Sequence, residues 1–394
     1  MNRQTKKYQV LFISNDASLT GAPIMLLHLL KFIRENKLWE INILLHRGGP
    51  MEAHFKEMGK TLILKPASYT GEKNLLKKGL MKLGMILKKW RLIIYASHYD
   101  FVFNNTIANG NMAQIFANKN IPVITFVHEL EKVIAVFKKN GESQKTFLYS
   151  SFFLSPSNIV KQNLLQNHQI PQVKILPLNY YFPGYDQEMA LAEKTKFAKQ
   201  FLFENNIPED KFLFFAMGTA DLRKGFDYFV EICNEVTRKE SDIHFVWIGD
   251  FTDPLFENEM KNKIREKKLE QYLTRMGNIP FNRYNLLPAN LFLLTSREDP
   301  YPLVVLDAAF LQIPTIAFED AGGATEFMEH GAGWLIKDFS LNDFAKKIIH
   351  LKNHINEIEI AGKNALEKAK SLHCNPLHTL TQLKAIESKI QIHE

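Results

Sequence analysis

The feature that most constrains the fold is the alternation of short apolar runs with longer segments of helical periodicity along the whole chain. The run Tyr8–Ile13 is followed by a polar loop and by an apolar-periodic helix over Ile24–Ile33. This alternation is typical of βαβ units and parallel sheets, so the sequence predicts an α/β fold. Further strands are predicted at Ile41–Leu45, Leu62–Leu64, Phe101–Phe103, Val123–Val127, Phe152–Leu154, Val173–Leu176, Phe212–Met217, His244–Ile248, Leu291–Leu294 and Thr315–Phe318.

The length of 394 residues favours two domains, and one segment has the composition of a boundary. Between the strands Val173–Leu176 and Phe212–Met217 lie several prolines and a charged helical pattern over Met189–Glu204. We predict two Rossmann-like, doubly wound domains facing across a cleft, over 1–180 and 205–376, with a terminal helix over 377–394 that returns to the first. Ligands in such sheets bind at the carboxyl ends of the strands.

Composition excludes several classes of protein. Hydrophobic residues make up 46% of the chain and charged residues 23%, which is enough apolar material for a core. No window approaches the ~18 consecutive apolar residues of a membrane span, and the stretch Val10–Ile13 is too short for the core of a signal peptide. The two cysteines, Cys233 and Cys374, form neither a disulfide framework nor a structural zinc site. We therefore expect a cytoplasmic globular protein.

The net charge of +7 is concentrated in one stretch, Lys73–Arg91, which contains no acidic residue. A local basic face favours a membrane surface or another anionic partner over nucleic acid, and we expect no nucleic-acid partner. Apolar side chains recur within the stretch: Leu75, Leu76, Leu80, Leu83 and Leu87. Such a basic amphipathic helix can lie on anionic lipid at the inner face of the membrane. The alternative is a surface helix with its apolar face on the core.

The strongest candidate site is Thr295–Ala308, which follows the predicted strand Leu291–Leu294. Pro302 precedes a helix whose first amides, those of Leu303 and Val304, are expected to bind a phosphate. Asp299 and Asp307 stand on the loop and about one turn into that helix, where carboxylates can accept hydrogen bonds from sugar hydroxyls. The alternative is that Arg297, Glu298 and Asp299 only cap the helix.

Two further loops follow strands of the second half. Gly218–Gly225 contains the adjacent cations Arg223 and Lys224, which could neutralise a diphosphate leaving group. The alternative is a solvated basic turn. Ala321–Glu326 contains Gly322 and Gly323, which permit close backbone approach or positive φ, and Glu326, which could anchor a polar ligand group.

The first half offers a weaker site. Gly21 and Ala22 open a helix after the first strand, but no G-x-G-x-x-G occurs there, which counts against NAD binding. His128 and Glu129 follow the strand Val123–Val127, and the residue that would complete a zinc-protease motif is Lys132. Asn104–Thr106 ends another strand at the same predicted edge. A structural histidine is the alternative interpretation.

Taken together, these residues resemble the retaining, nucleotide-sugar-dependent glycosyltransferases with the GT-B fold, in the family-four or glycogen-synthase-like group. The resemblance spans nearly the whole chain. It is densest in LTGAPIMLLHLL (Leu19–Leu30), FVHELE (Phe126–Glu131), GTADLRKGFD (Gly218–Asp227) and SREDPYPLVVLDA through AGGATEF (Ser296–Phe327). The resemblance implies transfer of a sugar from a UDP- or GDP-sugar to a saccharide or lipid-linked acceptor of envelope polysaccharide synthesis, with no cofactor and no metal.

The resemblance also implies roles for individual residues. Asp299 and Asp307 match the family's acidic pair, the first holding hydroxyls of the donor sugar and the second the ribose, with Glu298 as a substitute for the first. Lys224 matches the lysine that grips the diphosphate. His128 matches a histidine that contacts the donor sugar. The remaining matches are Gly21 near the phosphates and acceptor, and Gly322, Gly323 and Glu326 on the sugar side.

Two departures from the family pattern bear on activity. Aspartates replace both glutamates, and Thr219 replaces the arginine after Gly218, a loss for which Arg223 is expected to compensate. A non-catalytic nucleotide-sugar-binding protein, a sugar-nucleotide epimerase and a phosphorylase that uses pyridoxal phosphate remain alternatives. The base of the donor is expected to be read by backbone groups near 277–281.

Overall fold

The computed structural model describes residues 7–68, 75–185, 189–280 and 282–393. The chain packs into two units, the first comprising Met1–Pro183 with Asn375–Glu394 and the second Gly184–Cys374. Lys73 and Phe281, which mark the ends of two predicted segments, lie outside the described residues, as do the side chains of Leu75 and Arg91.

The first unit is built on a seven-stranded sheet. Its strands are β1 (Gln9–Ser14), β2 (Glu40–Arg47), β3 (Lys60–Lys65), β4 (Phe101–Asn104), β5 (Val123–Phe126), β6 (Phe152–Ser155) and β7 (Ile175–Pro177). They are all parallel and lie in the order β3-β2-β1-β4-β5-β6-β7. The central strands β4, β5 and β6 are buried along their whole length, because helices cover both faces of a parallel sheet.

Helices connect these strands and pack on the sheet. They are Gly21–Glu35, Glu52–Met58, Leu75–Ile94, Gly110–Ala117, Glu131–Lys138, Glu142–Tyr149, Asn158–Gln166 and, from the end of the chain, Pro376–His393. Short 3-10 turns lie at Ala96–His98, Ile107–Asn109 and Gln172–Lys174. In Gly21–Glu35 the helical spacing of Met25, Leu29 and Phe32 buries one face of the helix.

The second unit is built on a six-stranded sheet. Its strands are β8 (Phe212–Met217), β9 (Ile243–Ile248), β10 (Leu273–Arg275), β11 (Leu291–Leu294), β12 (Thr315–Phe318) and β13 (Gly333–Ile336). They are parallel and lie in the order β10-β9-β8-β11-β12-β13. The edge strands β10 and β13 were not predicted from the sequence, because they are short and lack a continuous buried apolar run.

The helices of the second unit alternate with its strands. They are Leu191–Glu204, Phe226–Thr237, Pro254–Glu266, Leu303–Phe310, Ala324–Met328, Leu341–Lys352 and Ile355–His373, with 3-10 turns at Arg283–Leu286, Glu319–Ala321 and Lys337–Phe339. Trp247 on β9 lies edge-on to Phe226 and Phe229 in the core, with ring centroids 5.0 and 5.2 Å away. Its indole N–H donates to the carbonyl of Gly218 at 3.0 Å, so the core also fixes the loop that follows β8.

The predicted α/β fold class is confirmed, with a doubly wound parallel sheet in each unit. Both sheets place their first strand between the second and the fourth, so β1 and β4, and likewise β8 and β11, flank a switch point of the topology. Loops that leave the carboxyl ends of two such strands diverge and leave room for a ligand. The candidate ligand-binding loops are therefore those after β1 and β4 in the first unit and those after β8 and β11 in the second.

The helix Leu191–Glu204, which follows the division between the units, packs on the second unit. In the helix Leu191–Glu204, Phe197 and Phe201 contact Tyr284 and Phe215 with ring centroids 6.1 and 6.5 Å apart, so this helix belongs to the second unit. The division accordingly falls at Pro183, before the predicted domain start at 205.

The terminal helix Pro376–His393 packs on the first unit. The Asn179 amide donates to Gln382 at 3.0 Å, and the Trp39 indole donates to Glu387 at 2.6 Å. Among the described helices, none is both long enough and apolar enough to cross a bilayer.

Candidate functional site

The loop after β8 is shaped by two glycines. Gly218 has φ 149°, and a Cβ there would lie 3.4 Å from the side chain of Lys224, so the aliphatic part of this lysine runs directly over it. Gly225 has φ 73°, and a Cβ would lie 1.9 Å from the carbonyl oxygen of Thr295. Because no other residue type fits at Gly225, this position lets the loop after β8 contact the end of β11.

Lys224 and Asp299 form an ion pair between the loops that follow β8 and β11. The lysine side chain is 17% exposed and the aspartate side chain 8%, so the pair is largely shielded from water. The Lys224 amide donates to Asp221 at 2.6 Å, and its carbonyl accepts from the Thr295 hydroxyl at 3.2 Å. The interpretation of this loop as a solvated basic turn is therefore wrong.

Arg223 and Arg297 also connect the loops that follow β8 and β11. Arg223 donates to the carbonyl of Glu298 at 3.1 Å, and the Arg297 amide donates to the carbonyl of Arg223 at 2.8 Å. Arg297 itself binds Asp227 through two hydrogen bonds of 2.8 and 2.6 Å. Arg297 thus links the loop after β11 to the helix Phe226–Thr237, which is a structural role.

The loop after β12 closes on Asp299 from the other side. The Asp299 amide donates to Ala321 at 2.7 Å, and the Asp299 carbonyl accepts from the Gly323 amide at 2.9 Å. Gly322 has φ 133°, and a Cβ there would lie 2.0 Å from the Asp299 carbonyl oxygen. Both glycines therefore permit the close backbone approach that the sequence suggests, and they hold Asp299 in place.

Pro302 is the N-cap residue of the helix Leu303–Phe310, and no side chain caps the start of this helix by a hydrogen bond. The capping interpretation of Arg297, Glu298 and Asp299 is therefore wrong. Val305 donates to the Pro302 carbonyl at 3.1 Å, and the amides of Leu303 and Val304 precede it in the first turn. These amides have no earlier helical carbonyl to bind, and the positive end of the helix dipole lies there.

Asp307 lies inside the same helix and is 3% exposed. Its Oδ1 has no hydrogen-bond partner among the described residues. Burial raises the pKa of this carboxyl to about 7, while the positive charge of Arg283 and a hydrogen bond with Tyr185 oppose the rise. The Arg283 guanidinium lies 4.1 Å from the centre of the Tyr185 ring. Asp307 is thus a buried carboxyl with one free oxygen, beside a cation stacked on an aromatic ring.

Other predicted residues of this unit lie around the same loops. Thr219 follows Gly218 directly and accepts a hydrogen bond from the Asp221 amide at 2.9 Å through its carbonyl. Glu326 lies in the first turn of Ala324–Met328 with an exposed side chain, and its charge contributes, after burial, to raising the pKa of Tyr301. The structure thus brings Gly218, Lys224, Glu298, Asp299, Gly322 and Gly323 together, with Asp307 inside the adjoining helix.

In the first unit, His128 lies at the carboxyl end of β5 between two partners. Its Nδ1 is 2.8 Å from the Tyr180 hydroxyl and its Nε2 is 3.0 Å from Asn105 Oδ1. Asn105 in turn donates to the carbonyl of Ala22 at 2.8 Å, at the start of the helix Gly21–Glu35. Burial lowers the pKa of His128 to about 3, so the imidazole is neutral at physiological pH.

Glu129, next to this histidine, is buried and bonded to the Thr106 hydroxyl. It also accepts from the His128 amide at 2.8 Å. Burial raises its pKa to about 7, against the hydrogen bonds that favour the carboxylate. The structure therefore gathers Gly21, Ala22, Asn105 and His128 at the switch point of the first sheet, with Glu129 bonded to the His128 amide.

A group with metal-ligand spacing occurs elsewhere in the described part of the chain. Its members His350, His354 and Glu357 lie at the end of Leu341–Lys352 and the start of Ile355–His373. His350 Nε2 is 2.8 Å from Glu357, and His354 Nδ1 is 2.6 Å from the His350 carbonyl. These side chains are already paired with neighbouring groups, and they belong to neither set of loops.

Sequence reasoning missed Tyr185, Arg283 and Tyr180. Tyr180 and Tyr185 lie on either side of Pro183 in a segment without periodicity, which gave no indication of their contacts. Arg283 lies two positions after the segment 277–281 that is expected to read the base, so its position was the available signal.

Comparison with known proteins shows what the chain resembles. Residues 198–368 match the family described as glycosyl transferases group 1. The structure of Anabaena HepE in complex with UDP and glucose superposes with a TM-score of 0.76 at 16% identity, covering 98% of this chain and 99% of HepE. Residues 198–368 are therefore similar to a glycosyltransferase family, and the superposition shows that the chain has the same fold as HepE.

Sequence relatives cover less of the chain. A poly(ribitol-phosphate) alpha-N-acetylglucosaminyltransferase of Staphylococcus aureus is 26% identical over 132 residues, which is 33% of this chain and 26% of that protein. An uncharacterized glycosyltransferase of Methanocaldococcus jannaschii is 24% identical over 267 residues, 64% of this chain and 61% of that protein. The matches thus span between about a quarter and six tenths of these relatives.

Proposed function

We propose that the chain is a retaining glycosyltransferase that moves a sugar from a nucleoside-diphosphate sugar to an acceptor hydroxyl. The observation that carries this proposal is the ion pair of Lys224 and Asp299 at the switch point between β8 and β11, directly beside the start of the helix Leu303–Phe310. A cation, a carboxylate and exposed amides are the groups that a diphosphate with an attached sugar requires.

Departure of the diphosphate is the step that these groups serve. The leaving group gains negative charge as its bond to the sugar breaks, and fixed positive groups stabilise that charge most strongly in the transition state. We assign this role to Lys224, supported by Arg223 and by the amides of Leu303 and Val304. Because these charges are part of the chain, the proposal requires no metal ion and no cofactor.

The ion pair gives Lys224 and Asp299 a second function. Before the donor binds, each residue neutralises the other in a site that is largely shielded from water. A bound diphosphate offers Lys224 another anion, which releases the Asp299 oxygens for hydroxyl groups of the sugar. Binding of the complete donor therefore compensates both partners, whereas a phosphate without a sugar compensates only the lysine.

Asp307 and His128 complete the assignment. The free Oδ1 of Asp307 suits a ribose hydroxyl, which can hydrogen-bond with a protonated or an ionised carboxyl. His128 is neutral, so we assign it a hydrogen-bonding role towards the sugar or the acceptor, in exchange for Tyr180 or Asn105, rather than a proton-transfer role. Glu298, Gly322, Gly323 and Glu326 are assigned to the sugar side.

For substrates, we propose a UDP- or GDP-sugar donor and a saccharide or lipid-linked glycan of the cell envelope as acceptor, used in the cytoplasm. HepE has been crystallised with UDP and glucose, and the S. aureus relative is named for transfer to a poly(ribitol-phosphate), which support these two classes.

A donor panel tests the proposal. Thermal unfolding should shift upward with one nucleotide sugar, since a ligand at 100 times its Kd stabilises a protein by about 2.7 kcal/mol. Transfer to a matching glycan, followed by NMR of the product, should show the same anomeric configuration as in the donor. No shift with any nucleotide sugar would contradict the proposal, and an inverted product would contradict the retaining assignment.

A second candidate is a nucleotide-sugar-binding protein without turnover. Thr219 in place of arginine and aspartates at both acidic positions reduce the charge and reach of the site, which favours this candidate. Calorimetric binding beside a transfer assay separates the two, because binding without transfer or donor hydrolysis supports the second.

A further inference from the structure

The helix Leu75–Ile94 turns its apolar face away from the protein. Leu76, Leu80, Leu83, Leu87, Trp90 and Ile94 recur at helical spacing, and we call them the outer stripe. Their exposed fractions lie between 54% and 83%. In a helix with 3.6 residues per turn, these positions fall on one face about 27 Å long. The alternative interpretation, in which this apolar face packs on the core, is therefore wrong.

The opposite side of the helix holds it on the first unit. Leu92 is 5% exposed and belongs to the core, while Lys88 donates to the carbonyl of Ile63 on β3 at 3.0 Å. Because the helix is attached through this side, the direction of the outer stripe is determined by packing. A contiguous apolar surface of this kind is uncommon on a soluble protein and marks an interaction site.

The charges beside the outer stripe decide what it can contact. At 100° per residue, Lys77 and Lys88 lie on one side of the outer stripe and Lys82 and Lys89 on the other, and all four are exposed. No acidic residue occurs between positions 73 and 99. A second copy of this helix would place lysines against lysines, which is unfavourable, so charge complementarity points to an anionic surface.

The basic surface continues from the helix to the neighbouring strands. After burial, which is the main cause, the charges of Arg47, Lys65 and Lys89 lower the pKa of His46, while that of Glu142 raises it. Arg47 and Lys65 end β2 and β3 at the carboxyl edge of the sheet. Lys65 and Lys89 thus add positive charge between the helix and the carboxyl edge of the sheet, where Arg47 is paired with Asp16 at 3.6 Å.

We propose that the outer stripe docks the protein on an anionic lipid bilayer, with the helix Leu75–Ile94 lying in the interface. Leucine side chains enter the acyl boundary, Trp90 sits at the headgroup level, and Lys82 and Lys89 reach the lipid phosphates. The helix lies on the membrane without crossing it, which agrees with its lysine content. This inference rests on the helix and its charges and is independent of the transfer reaction.

Vesicle flotation tests the docking. The protein should float with vesicles of phosphatidylcholine containing phosphatidylglycerol and much less with phosphatidylcholine alone, and added salt should weaken binding. Combined Leu80→Ser, Leu83→Ser and Leu87→Ser substitutions should weaken binding by about tenfold or more. Combined Lys82→Gln and Lys89→Gln should reduce binding to the anionic vesicles specifically.

A matched control uses exposed leucines outside the outer stripe. Leu191→Ser with Leu255→Ser removes comparable exposed apolar side chains from two other helices and should leave binding unchanged. Trp90 is 62% exposed, whereas Trp39 and Trp247 are buried and Trp334 is half-buried, so vesicles should shift the fluorescence to the blue in the wild type and much less in Trp90→Phe. All variants should keep the wild-type unfolding temperature, because the changed side chains are exposed.

Three outcomes would overturn the docking proposal. The first is a wild-type protein that floats with neither type of vesicle. The second is a stripe or lysine variant that binds anionic vesicles as the wild type does. The third is a wild-type dimer that the leucine substitutions convert to a monomer in sedimentation velocity, which would make the outer stripe an interface between copies. Since no donor or acceptor enters these measurements, failure here leaves the transfer proposal untouched.

Discussion

Lys224 and Asp299 form an ion pair between the loops that follow β8 and β11, although the two residues are 75 positions apart in the chain. The pair is shielded from water, and each partner is held by backbone hydrogen bonds, Lys224 through Asp221 and Asp299 through Ala321. Removing one charge would leave the other buried without compensation, which is costly. The same pair therefore stabilises the empty site and supplies the groups that the proposed reaction needs.

Replacement of the lysine tests its role in turnover. Lys224→Ala should lower the transfer rate by about 100-fold or more, because the departing diphosphate loses its main fixed cation. The double variant Lys224→Ala with Asp299→Asn should recover stability without recovering activity, since no lone charge remains. Lys346→Ala, at an exposed position, is the control. Wild-type turnover in Lys224→Ala would remove the lysine from the mechanism.

Stability should depend on pH through Asp307. Its pKa is raised from 3.8 to about 7, so between these values the folded state keeps a proton that the unfolded state has lost. Stability from this group is therefore greatest below pH 4 and falls as pH rises to about 7, by up to about 1.4 kcal/mol per pH unit.

Asp307→Asn should abolish this contribution, so the stability of the variant relative to the wild type should increase between pH 4 and 7. Denaturant unfolding at several pH values measures the difference. Asp210→Asn, at an exposed carboxylate, is the control substitution. A curve for Asp307→Asn that runs parallel to the wild-type curve would mean that the buried carboxyl keeps an ordinary pKa.

The His128 ring should stay neutral across the physiological range. Burial lowers its pKa from 6.5 to about 3, so its NMR signals should not titrate between pH 5 and 8. A His128 titration centred near 6.5 would show that water reaches the ring and would reopen a proton-transfer role.

Gly225 should not tolerate a side chain. Gly225→Ala adds both the strain of φ 73° and a Cβ 1.9 Å from the Thr295 carbonyl oxygen, so it should cost more than about 2 kcal/mol of stability. Gly141→Ala is a matched control, since its φ is 77° but nothing lies within 4 Å, and it should cost only about 1 kcal/mol. Equal losses in denaturant unfolding would show that the loops can separate without penalty.

Transfer should continue after removal of divalent ions. The charge of the leaving group is assigned to Lys224, Arg223 and the helix amides, so dialysis against EDTA should leave the rate within about twofold of the untreated enzyme. Restoration of a lost rate by added Mg²⁺ or Mn²⁺ would show instead that a metal shares this role.

Much of the fold was determined by the sequence itself. The strands Phe212–Met217, Leu291–Leu294 and Thr315–Phe318 were predicted at the bounds that the structure shows, because a strand buried on both faces reads as one continuous apolar run. The alternation of these runs with helices predicted parallel sheets, and with them the loops that carry Lys224 and Asp299.

Tertiary structure alone decided the pairings that depend on distance through space. No sequence pattern shows that Asp299 pairs with Lys224, or that Arg297, two positions earlier, pairs with Asp227 instead. The direction of the outer stripe was likewise undetermined, because periodicity shows that a helix has an apolar face and not what that face contacts. Such contacts arise between segments far apart in the chain, and only packing selects among them.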